Sequence, residues 1–307
     1  MTKRVEEILS WYEGQTPGVK TNIARLLNHG RLGGTGRMII LPVDQGFEHG
    51  PDRSFSMNPA ALDPHYLFRL AIDAGLSAYA APLGLLEAGS DTFAGQIPLI
   101  LKMNSSNLMT RFAHSSSLAD QALTSSLEDA LRLGCVGIGF TIYPGSDNTY
   151  GLFEEIREIA NRAKSYGLVV VIWSYPRGNM SKAGETALDV ISYSAHMASL
   201  LGAHIIKVKL PSHHLEYADS QEVFGRYGRD FSSLEARVRH ITECTFQGRR
   251  LVIFSGGGEK SEEAILDDAR AIKAGGGHGS IIGRNAFQRQ REDALQMLDK
   301  LVQVYKE

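Results

Sequence analysis

The chain has 307 residues, long enough for two average domains, although an α/β barrel of that size is a single unit. Hydrophobic residues make up 43%, enough for a large core, and 32 Lys+Arg against 34 Asp+Glu leave a net charge of -2, which gives no reason to expect nucleic acid or an anionic membrane as partner. Cys135 and Cys244 lie far apart without C-x-x-C spacing and indicate neither a disulfide framework nor a zinc site; the N-terminal MTKRVEEILSWYEG is acidic where a signal peptide is apolar, and no apolar run approaches the roughly 20 residues that cross a bilayer. These features predict a soluble, cytoplasmic protein.

Residues 1–36 carry a helix-like stretch over 5–13 and form an N-terminal helical extension, expected to plug or flank the following domain (37–307) or to meet a neighbouring subunit. Eight short apolar runs then follow: 38–43 (MIILPV), 77–81 (SAYAA), 98–103 (PLILKM), 135–142 (CVGIGFTI), 168–173 (LVVVIW), 203–210 (AHIIKVKL), 250–254 (RLVIF) and 279–282 (GSII). Helical patterns separate most of them, over 63–75, 118–134, 152–167, 186–202, 234–247 and 261–275. Asp63 can cap the first of these with Pro64 at its first turn, and several end at a glycine. The connection 84–96 is short and broken by glycine, so only a stub of helix is expected there. Eight mostly apolar strands separated by helices imply a parallel sheet covered on both faces, and the complete count predicts a (β/α)8 TIM barrel.

In such a barrel the active site lies at the C-terminal ends of the strands. The first run ends in Asp44-Gln45, with His49 and Arg53 following. The third ends in Lys102 and Asn104, the fourth in Tyr143, and the fifth in Trp173, Tyr175 and Arg177. The sixth carries Lys207 and Lys209. Alternate residues of a strand share a face, so the two lysines point the same way and Ile206 and Val208 the other. If they face the barrel interior, burial lowers an amine's pKa and makes it a nucleophile able to form a Schiff base. Lys207 is the deeper, which assigns it as nucleophile with Lys209 as its electrostatic neighbour. The competing arrangement turns both lysines outward to helix carboxylates.

Ser255, Gly256 and Gly257 leave the seventh run and Gly283-Arg284 the eighth, where barrels often bind phosphate on glycine amides, with Arg284 as a bidentate donor. Turns that merely need glycine are the alternative. The glycine-rich 30–36 precedes the first strand and reads as a plain loop. No H-E-x-x-H spacing is present, His213 and His214 read as solvated, and no metal or cofactor is expected. Cys135 reads as core and Trp11 as a helix packing anchor.

VDQGFEHGP, WSYPRG, KVKLP, FSGG and IGRN, in matching order at five strand ends over about residues 38–290, resemble the archaeal-type class I fructose-1,6-bisphosphate aldolases, also found in bacteria. The resemblance implies a metal-independent Schiff-base aldolase on a (β/α)8 barrel, assembled as a homo-oligomer and acting on a phosphorylated sugar. It places the Schiff-base lysine on Lys207 and the proton-donor tyrosine on Tyr175. It places substrate contacts on Asp44, Gln45, His49, Trp173, Arg177, Ser255, Gly256, Gly257, Gly283 and Arg284, with Arg53 where the family carries a basic residue for the distal phosphate. The long stretch 211–231, with His213, His214, Glu216 and Arg226, departs from the pattern and could reshape the sugar end of the pocket. Three other readings remain: a related Schiff-base lyase or transferase acting on another phosphorylated ketose or an aldehyde donor, a non-catalytic phosphosugar-binding barrel, and a pyridoxal phosphate barrel.

Overall fold

Each of the eight apolar runs forms a strand of one closed parallel sheet. The computed structural model describes residues 1–110, 114–256 and 258–307. The strands are β1 (Met38–Pro42), β2 (Ala78–Ala81), β3 (Leu99–Lys102), β4 (Gly137–Ile142), β5 (Val169–Ser174), β6 (Ile205–Lys209), β7 (Leu251–Ser255) and β8 (Gly279–Ile281). Each pairs with the next, and β8 returns to β1, so the sheet has no edge. The helices surround it, which makes this a (β/α)8 barrel.

The pleat sorts the strand residues into two apolar clusters. Ile39, Leu41, Ile172, Ile206, Val208 and Phe254 face the helices, whereas Met38, Ile40, Val171, Trp173, Ile205 and Ile253 face the barrel interior. The strands therefore read as continuous apolar runs.

The N-terminal extension holds two helices, α1 (Lys3–Ser10) and α2 (Pro17–Asn28), where the periodicity marks one. Thr2 and Thr16 accept from the amides of Val5 and Val19 as N-caps, and Pro17 opens α2. Val5, Ile8, Tyr12, Val19, Ile23 and Leu26 join the interior cluster, so the extension closes the N-terminal floor of the barrel. The Tyr12 hydroxyl fastens it by donating to the His204 carbonyl at 2.6 Å and accepting from the Leu251 amide at 3.2 Å. Gly18 lies against Gly167 so closely that an added Cβ would come within 2.9 Å of the Gly167 Cα. Trp11 packs on this cluster and meets the His278 ring edge-on at 5.6 Å. Cys135 is buried in the helix-side core, and residues 30–36 form successive turns.

Five expected outer helices are present as Pro64–Asp73, capped by Asp63, Thr149–Ser165, Leu188–Leu200, Leu234–Cys244 and Glu262–Ala274, and the stub as Leu83–Glu87. The helix expected over 118–134 is confined to Leu127–Arg132. Ser126 starts it with a reciprocal capping box to Asp129, and the preceding Ala122–Leu123 pairs antiparallel with Asn104–Ser105. A last helix, Arg291–Lys306, closes the outside of the barrel, with the Tyr305 hydroxyl 2.5 Å from Ser280 Oγ. Among the described residues no helix is long and apolar enough to cross a membrane.

Replacing Tyr12 by Phe leaves a buried carbonyl and a buried amide without their partner. Urea unfolding should show a loss of about 1–3 kcal/mol. An unchanged midpoint would mean that this hydroxyl does not fasten the extension.

Candidate active site

The alternation along β6 settles which way its lysines point. Ile206 and Val208 lie in the helix-side cluster and Ile205 in the interior cluster, so Lys207 projects inward. Lys207 pairs in register with Trp173 of β5 and Ile253 of β7. It is 4% exposed, and its Nζ stands 5.1 Å from the ring centroids of both Trp173 and Tyr175. Burial is the largest influence on this amine and lowers its pKa from 10.5 to about 8; Lys102 and Arg284 push the same way, while Asp44 and Glu48 oppose. Lys209 sits nearer the rim, with its Nζ 3.1 Å from Glu185 Oε2. Lys102 and Arg284 are the cations that bear most on Lys207, and Lys209, expected as its electrostatic neighbour, is ion-paired to the rim carboxylate.

Lys102 ends β3 at 1% exposure. Its Nζ donates to the Asn104 carbonyl, to Asn104 Oδ1 at 3.0 Å and to Gln121 Oε1 at 3.1 Å. Asn104 is itself pinned to β4, donating to the Thr141 carbonyl and accepting from its amide, both at 2.8 Å. The short ladder of Asn104–Ser105 with Ala122–Leu123 is what brings Gln121 to this point. Gln121 Nε2 then donates to the Tyr143 hydroxyl at 2.7 Å and to Glu48 Oε1 at 3.4 Å. Burial lowers the Lys102 pKa, with Asp44 and Glu48 opposing.

Asp44 follows β1 and is buried, and the short helix Gln45–His49 after it carries Glu48 into the same space. Burial and the neighbouring Asp44 raise Glu48 to about 7, against the pull of Lys102, Lys207 and Arg177. Burial also raises Tyr175, which a hydrogen bond with Ser255 counters, and lifts Tyr143 to about 12. Trp173 lies beneath Lys207, and its Nε1, like Gln45 Oε1, has no hydrogen-bond partner among the described residues.

Two cavities open from this point. The inner one is lined by Asp44, Glu48, Tyr175, Lys207, Ser255, Gly256, Gly283 and Arg284. Its loops are tied together, because Asn285 Oδ1 accepts from the Lys260 amide and Asn285 Nδ2 donates to the Gly258 carbonyl, both at 3.0 Å. Gly283 passes so near β1 that a Cβ would meet the Pro42 carbonyl oxygen at 2.9 Å. Gly257 lies outside the described residues. The outer cavity is lined by Glu48, His49, Tyr143, Arg177, Lys182 and Glu185, with the serine-rich loop before Asp120. Glu185 is buried and accepts from Arg177 at 2.9 Å, Lys182 at 3.0 Å and Lys209 at 3.1 Å. Its burial alone would raise its pKa, but Lys182, Arg177 and Lys209 outweigh that and hold it low. His49 is lowered by burial and by the nearby Arg284 and Arg53.

Most of the residues singled out in the sequence therefore converge. Arg53 does not: it is exposed on the helix Pro51–Phe55 and lines neither cavity, acting on the site through its charge near His49. None of His213, His214, Glu216 and Arg226 lines either cavity; Glu216 instead accepts from the Ser181 amide and hydroxyl and from His214. Glu48, Gln121 and Glu185 go unnoticed in the sequence. Glu48 carries a signal, standing four residues after Asp44 in the strand-one motif.

A model of the DeoC/LacD family aldolases matches residues 38–289, from the first residue of β1 past the loop after β8. The chain belongs to the DeoC/LacD aldolase family. The aldolase is similar to the probable fructose-bisphosphate aldolase class 1 of Chlamydia muridarum, 34% identical over 301 residues, 94% of this chain and 84% of the relative. It is similar also to the fructose-bisphosphate aldolase class 1 of Thermoproteus tenax, 35% identical over 270 residues, 88% of this chain and 89% of the relative. A solved archaeal fructose-1,6-bisphosphate aldolase, its catalytic lysine covalently bound to the carbinolamine intermediate of the substrate, superposes with a TM-score of 0.76 at 30% identity, covering 93% of this chain and 99% of that one. The matched segment begins after α1 and α2, which form the aldolase's floor.

The lowered Lys207 pKa has a sign that unfolding can read. Below pH 8 the folded state holds an ammonium that it disfavours relative to the unfolded chain, and that deficit fades as pH rises from about 8 to 10.5. Lys207→Met should therefore raise stability at pH 7 by up to about 3 kcal/mol, and the gain should shrink toward pH 10.5. Destabilisation at pH 7, read by urea unfolding, would mean that Asp44 and Glu48 overcompensate the burial.

Proposed function

We propose that this aldolase is a class I, Schiff-base fructose-bisphosphate aldolase that cleaves fructose 1,6-bisphosphate to dihydroxyacetone phosphate and glyceraldehyde 3-phosphate and runs the reverse condensation. The observation that carries the reading is a buried amine of lowered pKa, on Lys207, between two cationic ends of one cleft. At pH 7 about a tenth of such an amine is neutral, a far larger share than for an ordinary lysine. The neutral Lys207 attacks the C2 ketone, and loss of water leaves an iminium. When the C4 hydroxyl loses its proton, the C3–C4 bond breaks and its electron pair flows into the iminium, giving an enamine and the aldehyde. Protonation of the enamine and hydrolysis release the ketone product and restore the amine.

Tyr175, its ring centroid 5.1 Å from Lys207 Nζ, is the proton shuttle at C2 and C3, and Asp44 orients the amine and the sugar hydroxyls. Ser255, Gly256 and Gly283 offer amides, and Arg284 a guanidinium, to the ketone-side phosphate; Gly257 is assigned with them. His49 and Arg177 receive the distal phosphate, with Lys209 and Arg53 contributing charge, while Trp173 and Gln45 support the substrate's middle. The same reading infers a cytoplasmic homo-oligomer of glycolysis and gluconeogenesis. Exposed Phe47 and Leu62 in one apolar groove support self-association.

Borohydride added with fructose 1,6-bisphosphate should leave its adduct on Lys207, mapped by peptide mass. Lys207→Met should abolish trapping and turnover, and EDTA should leave wild-type turnover intact. An adduct on Lys209 or Lys102, or activity restored only by added zinc, would refute the assignment.

Arg284→Ala should cost about 1.5–3 kcal/mol on the bisphosphate, one to two decades in kcat/KM. The loss should shrink on fructose 6-phosphate, which lacks the ketone-side phosphate. Equal losses on both sugars would show that Arg284 does not touch that phosphate.

A further inference from the structure

The connections after β1 and after β8 are far apart in sequence, and one buried side chain fastens them together beside the inner cavity. Asn58 lies between the helix Pro51–Phe55 and the short 3₁₀ turn Pro59–Leu62 and is 2% exposed. Its Nδ2 stands 2.9 Å from the Phe287 carbonyl oxygen, 2.8 Å from that of Arg289 and 2.9 Å from the Tyr66 hydroxyl. A carboxamide has two N–H hydrogens, so three acceptors share them, and the opposite orientation would set its oxygen against two carbonyls. Those carbonyls lie at and just beyond the end of the short helix Arg284–Phe287, where no further turn supplies them with donors. The same two connections meet at three other points. Gln288 Nε2 donates to the Ser54 carbonyl at 2.8 Å, Gln290 Nε2 donates to the Met57 carbonyl at 3.3 Å, and the Phe55 and Phe287 rings pack with centroids 5.5 Å apart. Phe55 in turn lies against the helix Gln45–His49, where a Cβ on Gly46 would come within 3.0 Å of its ring. On the other side the Arg289 guanidinium donates to the Asn285 carbonyl at 2.8 Å and to the Lys260 carbonyl at 3.2 Å, which extends the joint to the loop after β7.

We propose that Asn58 is a positioning residue for the ketone-side phosphate, holding the loop after β8, with Arg284, in the frame of Lys207 so that a phosphate bound there delivers C2 to the amine. The inference rests on the Schiff-base reading and adds to it a residue that lines neither cavity. The loop after β8 needs such a hold, because the strand that carries it is the shortest of the barrel. β8 has three residues, and only Ser280 and Ile281 pair with β7, the strand between it and Lys207. The energy of phosphate binding serves the reaction at C2 only if anchor and nucleophile keep their separation. Without the Asn58 donors two carbonyls on the loop would have to turn toward other partners, and the helix that begins at Arg284 would turn with them. Gln288 and Gln290 act at the part-buried and exposed edges of the same joint, whereas Asn58 acts at its buried centre.

Dihydroxyacetone has the ketone of dihydroxyacetone phosphate without the phosphate, so the pair separates this role from general damage. Asn58→Leu keeps the size of the side chain and removes its donors. Borohydride trapping, read by the mass of the Lys207 peptide, is measured against the concentration of each ketone. In Asn58→Leu the concentration of dihydroxyacetone phosphate that half-saturates trapping should rise about 10- to 100-fold. Trapping of dihydroxyacetone should follow the wild-type curve, which also shows that the variant is folded. In the double variant with Arg284→Ala the two losses should overlap instead of adding, because both act on one phosphate contact. Gln288→Ala, which loosens the joint at its edge, should give the same split to a lesser degree and carries the test if Asn58→Leu does not fold. Equal losses with both ketones would make Asn58 a support of the whole barrel and overturn the proposal. So would an unchanged curve for dihydroxyacetone phosphate in either variant, or fully additive losses in the double variant. If the wild type traps neither ketone, the Schiff-base reading itself fails and the role of Asn58 falls with it.

Discussion

Four ionisable groups share the inside of the barrel mouth, Lys102, Lys207, Asp44 and Glu48, and their combined formal charge is zero when all are ionised. Any one of them alone would carry a desolvation penalty of several kcal/mol. Together the carboxylates and amines offset most of that, and what remains uncompensated appears as the shifts: Lys207 down to about 8 and Glu48 up to about 7. A barrel whose interior is elsewhere filled by Ile, Val and Ala can hold this cluster only if its members are fixed. Asn104 and Gln121 do so for Lys102, and the Trp173 ring does so from below, 5.1 Å from Lys207 Nζ and 5.9 Å from Lys102 Nζ. The indole in turn requires Gly139, where a Cβ would come within 2.0 Å of the ring. Of the two glycines of β4, Gly139 makes room for the β5 indole, while at Gly137 a Cβ would meet the Val169 carbonyl oxygen at 2.6 Å.

Around this neutral centre the rim is cationic. Glu185 gathers Arg177, Lys182 and Lys209 around a single carboxylate, leaving two positive charges unbalanced, while Arg284 stands on the opposite side. A chain with a net charge of -2 thereby presents positive potential at the one place where a doubly phosphorylated sugar would enter. The ion pairs with Glu185 also hold long side chains in place before any phosphate arrives, which lowers the ordering cost of binding.

The barrel is legible in the sequence because strands buried on both faces leave uninterrupted apolar runs, and helix positions between them are marked by caps and terminal glycines. Lys207 is legible because two lysines on one face of an apolar strand contradict its surroundings. Lys102 is visible as a strand end, but its partner Gln121 lies 19 residues on. Only the two-residue ladder between Asn104–Ser105 and Ala122–Leu123 brings them together, a pairing too short to leave a pattern. That ladder is also why helix does not begin until Leu127. Glu185 lies in a polar connection where a carboxylate contradicts nothing, so its burial is a property of the closed fold alone.

The Tyr12-fastened helices make the barrel a well with one opening. A substrate cut at its middle would then have two products that must use the same exit. In the proposed reaction the half bound to Lys207 would be tethered by a covalent bond until water reached the imine, whereas the aldehyde half would be held only by the cationic rim. On the proposed reaction such a well would order release, the aldehyde leaving first and uncovering the tethered half to the solvent that frees it. In the condensing direction the same geometry would have the ketone load before the aldehyde.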